Sequence, residues 1–394
     1  MRETGTSITE YLQHYEESWS ELQQDSHPER QYQQGNMLET WMISYREIEH
    51  RDPDAAKLLL LLAHFDNRDI WYELLKSSRY SSNVPVWLER IMSSKLTFRT
   101  GVENLIGFSL LETKEGGGSY TIHPVVQDWC IHLSNTSKLV DSTQLNELAL
   151  ISVGYCVPHL SDRNYSGLQQ RLIPHANYVR HGDLPGDKIE IAVWGAFDSL
   201  GNLYLNQGKL KEAEEMHQRA LAGKEKAVGP DHTSTLDTVN NLGNLYSDQG
   251  KLKEAEEMYQ RALAGYEKAL GPGHTSTLDT VNNLGSLYRN QVRLEKAEKT
   301  YQGALAGYEK ALGPDHTSTL RTVNNLGSFY SNQGKLEKAE EMYQRALAGY
   351  EKALGPDHMS TLNTVNNLVS LYYSRNRLDQ YAVRLSLSAP PPRP

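Results

Sequence analysis

A short motif recurs along the second half of the chain at a fixed interval. Leu-Gly-Asn-Leu-Tyr begins at residue 200 and again at residue 242, and close variants begin at residues 284, 326 and 368. Each copy therefore starts 42 residues after the one before it. A fixed period of roughly 20 to 50 residues is typical of a solenoid, in which one structural unit is stacked many times. This repeat constrains the fold more than any other feature of the sequence.

Each repeat carries small and aromatic residues in a fixed order. In the second copy Leu242 and Gly243 are followed by Ala255, Tyr259 and Ala262. The order resembles the tetratricopeptide repeat (TPR), a pair of antiparallel helices whose small residues let the backbones approach. One helix pair cannot bury both of its faces, so each unit should be stable only against its neighbours. The extra length and the sequence VNNLGNLYSDQGKLKEAEEMYQRALAGYEKALGP resemble the repeats of kinesin light chains.

The turn between the two helices of a unit usually contains glycine. Gly250 and Gly334 are expected to end their first helices in the left-handed conformation, which costs glycine little. Val292 occupies the same place in the third copy. A β-branched residue is unfavourable in that conformation. The sequence therefore predicts either a rearranged turn or a strained one at Val292.

Composition limits the possible partners and compartments. The net charge of −9 argues against a nucleic-acid-binding surface, which would be basic. Cys130 and Cys156 give no disulfide framework, and no signal-peptide pattern begins the chain. The longest apolar run, residues 58–63, is too short to cross a membrane. We therefore expect a soluble cytoplasmic protein, and the restriction of all six tryptophans to Trp194 and earlier predicts two different domains.

The N-terminal part is predicted to contain short helices and one β-hairpin. Residues 108–124 contain a Gly-rich turn between two short stretches that favour strands. Helices combined with such a two-stranded wing predict a winged-helix domain. The predicted helices span residues 1–25, 37–48, 54–65, 69–75, 98–107 and 125–133.

Two strings in this part, SYREIEHRDPDAAKLLLLLAHFDNRDIWYELL and YTIHPVVQDW, resemble the end of the NB-ARC module. NB-ARC is the NTPase core of STAND receptors, which in fungi often carry TPR sensors behind it. The resemblance implies that His123 matches a histidine that faces the bound nucleotide in that family. Ile122 and Pro124 flank it where the family has Met and Asp, so the match is partial.

The phosphate-binding loop of that family is not found in these 394 residues. No G-x-x-x-x-G-K-[ST] motif occurs, and no hydrophobic strand ending in paired acids precedes the helical part. Without backbone amides around the phosphates and a hydroxyl for magnesium, a nucleotide has no anchor. We therefore expect no cofactor, and we interpret His123 as a relic of a nucleotide sensor.

Changes in composition divide the chain into four segments. We predict a helical and winged-helix domain over residues 1–135, a linking helix pair over 136–190, a TPR solenoid over 191–385 and a Pro-rich tail over 386–394. The linking pair is expected to cap the solenoid. The predicted fold class is all-α, with about five helix-pair repeats and one hairpin.

The concave face of the solenoid is the candidate binding site. Asn240 and Asn244 are four residues apart on one helix and share a face that is expected to point out of the core. A side-chain amide both donates and accepts, so a row of them suits the backbone of an extended peptide. The resemblance to kinesin light chains and other TPR proteins implies the same role for asparagines here. The predicted peptide-binding residues are Asp237, Asn240, Asn244, Asp279, Asn282, Ser286, Arg289, Arg321, Asn324, Ser328 and Asn366.

Two interpretations of this face are open. The series Asp237, Asp279, Arg321 and Asn363 changes from copy to copy, while the core positions barely change. Recognition of a ligand would produce this pattern, and so would drift at exposed sites. The asparagines themselves are either ligand contacts or bridges between neighbouring units.

No set of residues predicts catalysis or metal binding. One histidine recurs in each loop, at positions 232, 274, 316 and 358, but stacking would separate these side chains by about 10 Å, too far to share one ion. We expect these histidines to pack in the loops or cap the helices. His123, Cys130 and His132 lack a fourth ligand, and no nucleophile has a partner at a suitable spacing.

The sequence favours protein or peptide recognition by the solenoid, as the sensor half of a STAND-like receptor without its own phosphate loop. The first alternative is a free-standing adaptor like a kinesin light chain, although no heptad repeat for a motor partner precedes residue 190. The second alternative is part of an NTPase whose phosphate loop lies upstream. In each case we expect a protein or peptide partner, and neither a nucleic acid nor a membrane.

Overall fold

The computed structural model describes residues 37–114, 116–136, 140–158, 164–182 and 189–374. The amphipathic helix predicted for residues 1–25 and the Pro-rich tail predicted for 386–394 lie outside these ranges. The described part of the chain is mostly helical. None of its helices is both long and apolar enough to cross a membrane.

The N-terminal block begins with two helices that lie against each other. Pro53 occupies the first turn of the second helix, where its missing N–H costs nothing, and Asp52 caps that turn by accepting from the Ala55 amide at 3.0 Å. The five leucines at 58–62 of this helix are all buried. The helices of the block are α1 Met37–Arg51, α2 Pro53–Leu62, α3 Tyr72–Lys76, α4 Val86–Met92, α5 Lys95–Gly107 and α6 Pro124–Thr136.

A three-stranded antiparallel sheet completes the described part of this block. Its strands are β1 Ile70–Trp71, β2 Glu112–Thr113 and β3 Ser119–Thr121, in the order β1-β3-β2. Tyr120 of β3 pairs with Ile70 on one side and with Thr113 on the other. The hairpin β2–β3 is the predicted hairpin, and the winged-helix assignment of the block stays a prediction.

The sheet includes one strand that the sequence did not reveal. Residues 69–75 were predicted to form one helix, but Ile70 and Trp71 are extended and α3 begins only at Tyr72. Asp69 turns the chain before the strand with φ of +61°. A two-residue strand has no periodicity of its own and exists because the hairpin pairs with it. The short helix α4 is also absent from the sequence-based prediction.

Two further helices, α7 Ser142–Tyr155 and α8 Tyr165–Val179, link this block to the repeats. Helix α7 packs so closely on the first repeat helix that a Cβ at Gly154 would meet the Ala196 Cα at 2.5 Å. Arg171 of α8 reaches back to the sheet and donates to both carboxylate oxygens of Asp69, at 2.8 and 3.0 Å. Buried side chains between residues 45 and 245 form one continuous cluster. The block, the linking helices and the first repeats therefore share a core.

The repeats form an array of antiparallel helix pairs, called units 1 to 5 here. Four complete pairs and the first helix of unit 5 are described, and the predicted remainder of unit 5 lies outside the described residues. The predicted solenoid of 42-residue units is confirmed. The first helices are α9 Ile191–Asn206, α11 Thr233–Asp248, α13 Thr275–Asn290, α15 Thr317–Asn332 and α17 Met359–Ser374, and the second helices are α10 Leu210–Val228, α12 Leu252–Leu270, α14 Leu294–Leu312 and α16 Leu336–Leu354.

Close approach of the two helices in a unit depends on small residues. Gly243 of α11 faces the ring of Tyr259 on α12, and a Cβ at this glycine would meet the ring at 2.6 Å. Ala255 and Ala262 of α12 are completely buried. A larger side chain at Gly243 would force the helices apart, because a packed interior has no spare volume. The recurrence of the Leu-Gly motif follows from this contact.

The loop histidines cap the first helices. His274 Nδ1 accepts a hydrogen bond from the Ser276 amide at 3.2 Å, and the same bond recurs in units 2, 4 and 5. Thr277 Oγ1 closes the same loop by donating to the Gly271 carbonyl at 2.8 Å. The capping role expected for these histidines is confirmed.

The turn of unit 3 keeps a left-handed geometry although it carries valine. Val292 has φ of +59°, compared with +73° at Gly250 and +71° at Gly334. Its side chain is 75% exposed, so it gains little burial in return. Of the two predicted outcomes, the structure adopts the strained turn.

Replacing Val292 with glycine is expected to stabilise the protein. The change removes a β-branched residue from the left-handed region, which costs roughly 1 kcal/mol or more, and it deletes no buried contact. The melting temperature of the full chain, followed by circular dichroism, should rise by about 1–2 °C. The reverse change in unit 4, Gly334→Val, should lower it, and an unchanged melting temperature for Val292→Gly would contradict the argument.

Candidate functional site

The first helices of successive units line one face of the array. Each first helix from α9 to α15 contacts the first helix of the next unit. We call the surface that carries Asp237, Asn240, Asn244 and their counterparts in units 3 to 5 the inner face. All the predicted peptide-binding residues lie on these first helices.

A ladder of side-chain amides runs from unit to unit along the inner face. Asn283 donates from Nδ2 to the Oδ1 atom of Asn240 at 3.3 Å, and Thr280 donates to the same oxygen at 3.2 Å. The amide contact recurs in the next two units, Asn325 to Asn282 at 3.3 Å and Asn367 to Asn324 at 3.2 Å. Three predicted site residues are therefore bridges between neighbouring units.

The ladder uses only one end of each accepting amide. In the described chain, the side-chain hydrogen bonds of Asn240, Asn282 and Asn324 engage Oδ1 and none engages Nδ2. Asn240 and Asn324 are half-buried, whereas Asn282 is only 3% exposed. The expectation that these side chains point out of the core is therefore wrong for Asn282, because the next unit covers it. Asn366, at the last described unit, is exposed.

A second row of polar contacts joins the two helices within each unit. Tyr259 donates from its hydroxyl to Asn244 Oδ1 at 2.7 Å. The same place in units 3 and 4 carries serine, and the hydroxyl pairs are Tyr301 with Ser286 at 2.8 Å and Tyr343 with Ser328 at 3.0 Å. These three predicted site residues hold in place the rings that face the glycines.

Charged residues lie near the start of the first helices. Tyr266 donates to Asp237, and Tyr308 donates to Asp279 at 2.5 Å. Burial and the adjacent carboxylate raise the pKa of Tyr266 well above its usual value, so its hydroxyl keeps the proton that it donates. Asp279 also forms an ion pair with Arg321 of the next unit. The structure brings these predicted charges together along the array.

Arg289 differs from Arg321, the other predicted arginine, because no carboxylate pairs with it in the described chain. Its guanidinium contacts Asn290 at 3.4 Å. It lines an open cavity of about 560 Å³ between units 3 and 4, together with Val292, Phe329 and Gln333. Units 2 and 4 have serine at this position. Arg289 therefore adds positive charge that its surroundings do not neutralise.

Unit 1 replaces the ladder with a buried ionic cluster that the sequence analysis missed. Asp198 stands where units 2 to 5 have the accepting asparagine. It accepts from His217 Nδ1 at 2.9 Å, from Lys224 Nζ, and from Thr238 Oγ1 at 2.5 Å. Lys224 also donates to the Ser234 carbonyl at 3.1 Å. The cluster therefore joins unit 1 to unit 2.

The opposite charges of Asp198 and Lys224 form an ion pair that is buried from solvent. Asp198, His217 and Lys224 are each less than a tenth exposed. Burial acts to raise the pKa of Asp198, but the hydrogen bond from His217 and the charge of Lys224 hold it below its usual value. Units 2 to 4 carry Asn, Tyr and Tyr at the three positions. Unit 1 therefore differs from units 2 to 4 at all three positions, and this difference is the sequence signal that could have identified the cluster.

Replacing Lys224 with methionine is expected to destabilise the protein strongly. The change leaves the buried Asp198 carboxylate without its cation, and breaking a buried pair in this way costs about 3–5 kcal/mol. The midpoint of urea unfolding should fall accordingly. The matched control is Lys268→Met, which removes an exposed pair with Asp231 and should barely move the midpoint. Equal midpoints for the two variants would contradict a special role for the cluster.

His123 lies exposed at the start of α6. Its Nδ1 atom accepts from the Val125 amide at 3.3 Å, which is the contact of a helix cap. Cys130, further along α6, is buried. The described residues include no group of three or more side chains that could hold a metal ion.

Comparison with known proteins identifies the repeats. The tetratricopeptide repeat family model matches residues 193–268, 275–352 and 319–380. The units of the array are therefore tetratricopeptide repeats, as their motif and period indicate.

A nucleotide-binding leucine-rich repeat (NLR)-like protein of Hyaloscypha variabilis is 31% identical to this chain over 212 residues. The match covers 52% of this chain and 19% of the relative. The chain thus spans about a fifth of the length of this relative.

Two solved structures contain similar arrays. A kinesin-light-chain-like protein of Podospora anserina with nearly identical TPR-like repeats is 23% identical, with a TM-score of 0.42, and the match covers 50% of this chain and 94% of that one. A STAND protein with a tetratricopeptide repeat sensor from Pyrococcus horikoshii is 16% identical, with a TM-score of 0.43, over 84% of this chain and 50% of that one. These similarities concern the fold alone.

Proposed function

We propose that this chain recognises a partner protein by binding an extended peptide segment along the inner face. The amide ladder carries this proposal, since it holds the half-buried Asn240 and Asn324 in one orientation with their Nδ2 donors unused, while Asn282 between them is covered by the next unit. Donors repeated along the array suit the carbonyl groups of an extended backbone. Because the side chains are already fixed, little conformational entropy is lost when a ligand binds.

Residues around the ladder would give the groove its selectivity. The buried positions of the first helices repeat almost unchanged, while the surface positions differ from unit to unit. A ligand lying along the array would meet a different side chain at each unit. These variable positions are Asp237, Asp279, Arg321 and Asn363 near the helix starts, and Ser247, Arg289, Ser331 and Tyr373 near the helix ends.

We also propose that the array is the sensor half of a STAND-like receptor. Two observations support this role: the winged-helix block resembles the end of NB-ARC, and a relative is an NLR-like protein. The block shares one hydrophobic core with unit 1 through α7 and α8, which would couple a ligand on the array to the block. The phosphate-binding loop of such a receptor would come from a segment other than these residues. A free-standing adaptor would use the same groove.

Two substitutions at Asn324 separate the two roles of the ladder. Asn324→Asp keeps an oxygen for Asn367 but has no donor for a ligand, whereas Asn324→Ala removes both. We expect either change to weaken binding of a selected peptide by about 1–2 kcal/mol, and only Asn324→Ala to lose the bridge. The peptide comes from library selection on the full chain, with affinity measured by fluorescence anisotropy and stability by thermal melting.

The matched control is Asn367→Ala, which breaks the same bridge from the other side. It should lower the melting temperature as much as Asn324→Ala does. It should bind the peptide more tightly than Asn324→Ala does, because the Asn324 amide remains. Parental affinity in both Asn324 variants would refute the proposed contact and leave the ladder as a structural bridge only.

This chain alone is expected neither to bind nor to hydrolyse ATP. Its sequence contains no phosphate-binding loop, and the described contact of His123 is that of a helix cap. Isothermal titration calorimetry with ATP and magnesium should show no binding heat, and a phosphate-release assay should show no turnover. Binding in the micromolar range would contradict this expectation, and loss of that binding in His123→Ala would then assign it to the winged-helix block.

A further inference from the structure

Unit 3 differs from its two neighbours at positions where they are alike. Residues 255–272 of unit 2 and residues 339–356 of unit 4 have the same sequence. The corresponding stretch of unit 3, residues 297–314, differs at Lys299, Thr300 and Gly303. Helix α14 can therefore be compared with two helices of otherwise matching sequence.

Gly303 lies inside α14 where the neighbouring units have arginine. Glycine is less favourable there because it loses more backbone freedom when the helix forms. The arginines also bind glutamates of the preceding units, Arg261 to Glu225 and Arg345 to Glu309, both at 2.6 Å. Unit 3 cannot form this bond to unit 2.

A second ion pair, which is exposed and contributes little by itself, is also missing at this junction. Lys268 binds Asp231 at 2.9 Å, and Lys352 binds Asp315 at 2.8 Å. The loop before unit 3 has Gly273 in place of the aspartate. Two ion pairs found at the neighbouring junctions are therefore absent between units 2 and 3, where Arg293 and Lys296 still pair with Glu256.

Thr300 replaces a methionine that packs against buried clusters in the neighbouring units. Met258 and Met342 each contact two such clusters. Thr300 Oγ1 instead donates to the Lys296 carbonyl of its own helix, at 2.7 Å. The change shortens the side chain and removes apolar contact, and both effects weaken packing.

The junction with unit 4 is also incomplete. Val292 forms the strained turn there, and the cavity beside Arg289 opens between the two units. Gln333 Nε2 is buried in the cavity wall with no hydrogen-bond partner in the described chain. The equivalent amide of unit 3, Gln291, donates to Glu256 at 3.0 Å. Unit 3 is therefore weakened in its interior and at both junctions.

We propose that unit 3 is the point at which the array opens, so that α13 and α14 lose their structure before the other described helix pairs do. Stability in a stacked array is close to a sum of unit and nearest-neighbour contributions, so a unit that is weak in both opens locally. Because α13 carries Asn282, opening interrupts the amide ladder at its centre. The inner face is thereby divided into two separately rigid parts, and this happens in the free chain without any ligand.

Hydrogen–deuterium exchange of the full chain, followed by mass spectrometry, tests this inference. Peptides of unit 3 are assigned unambiguously where they include residues 286–290 or 299–303, which differ from units 2 and 4. Residues 274–285 and 304–314 repeat the sequence of unit 2 and cannot be used alone. After correction for intrinsic rates, amides of α13 and α14 should exchange at least tenfold faster than those of α11 and α15.

A restored variant gives unit 3 the residues of its neighbours. It combines Gly273→Asp, Val292→Gly, Thr300→Met and Gly303→Arg, and it should slow exchange in unit 3 to the rate of unit 2. A transferred variant makes the reverse changes in unit 4, namely Asp315→Gly, Gly334→Val, Met342→Thr and Arg345→Gly. It should speed exchange in unit 4 by about the factor that separates units 2 and 3 in the parent.

Three results would overturn the inference. The first is exchange in unit 3 within threefold of both neighbours. The second is exchange that increases steadily toward unit 5, which would indicate fraying from the end of the array. The third is a restored variant with the exchange rates of the parent. The restored variant tests the inference even if the transferred variant does not fold.

Discussion

In units 1 to 4, the contact between a glycine on the first helix and an aromatic ring on the second determines the rest of the array. Gly243 lets the helices approach until the ring of Tyr259 fills the space between them. The hydroxyl of that ring then reaches Asn244 on the inner face. Hydrophobic packing and surface polarity are therefore linked, since the same ring belongs to the core at one end and to the inner face at the other.

In the proposed function, the inner face would combine stability and recognition in the same side chains. An asparagine such as Asn324 gives its oxygen to the next unit and keeps its donor for the groove. The spacing of the amides along the array is fixed, because each accepting amide is held by an asparagine of the next unit. In the proposed function, selectivity for the peptide would come from positions such as Arg289 and Tyr373, which can vary without disturbing the ladder.

The repeats could be predicted from sequence because each unit presents the same pattern again. The strand Ile70–Trp71 could not, since two residues carry no period and the pairing partner is distant in the chain. The prediction that Asn282 points out of the core is wrong, because its burial depends on how closely the next unit packs, which no single helix encodes. Asp198 is visible in the sequence as a departure from asparagine, yet only the fold shows that Lys224 neutralises its charge and that His217 forms a hydrogen bond with it.

The buried charges of unit 1 also limit which helices can pair with each other during folding. The second helices of units 2 and 4 are identical over residues 255–272 and 339–356, so each fits the first helix of the other. Helix α10 has no such freedom, because Lys224 and His217 need a carboxylate and, among the described first helices, only α9 offers one at that place. Pairing α9 with any other second helix would bury Asp198 opposite tyrosines, without its cation. The electrostatic cost of that error therefore favours the pairing of α9 with α10.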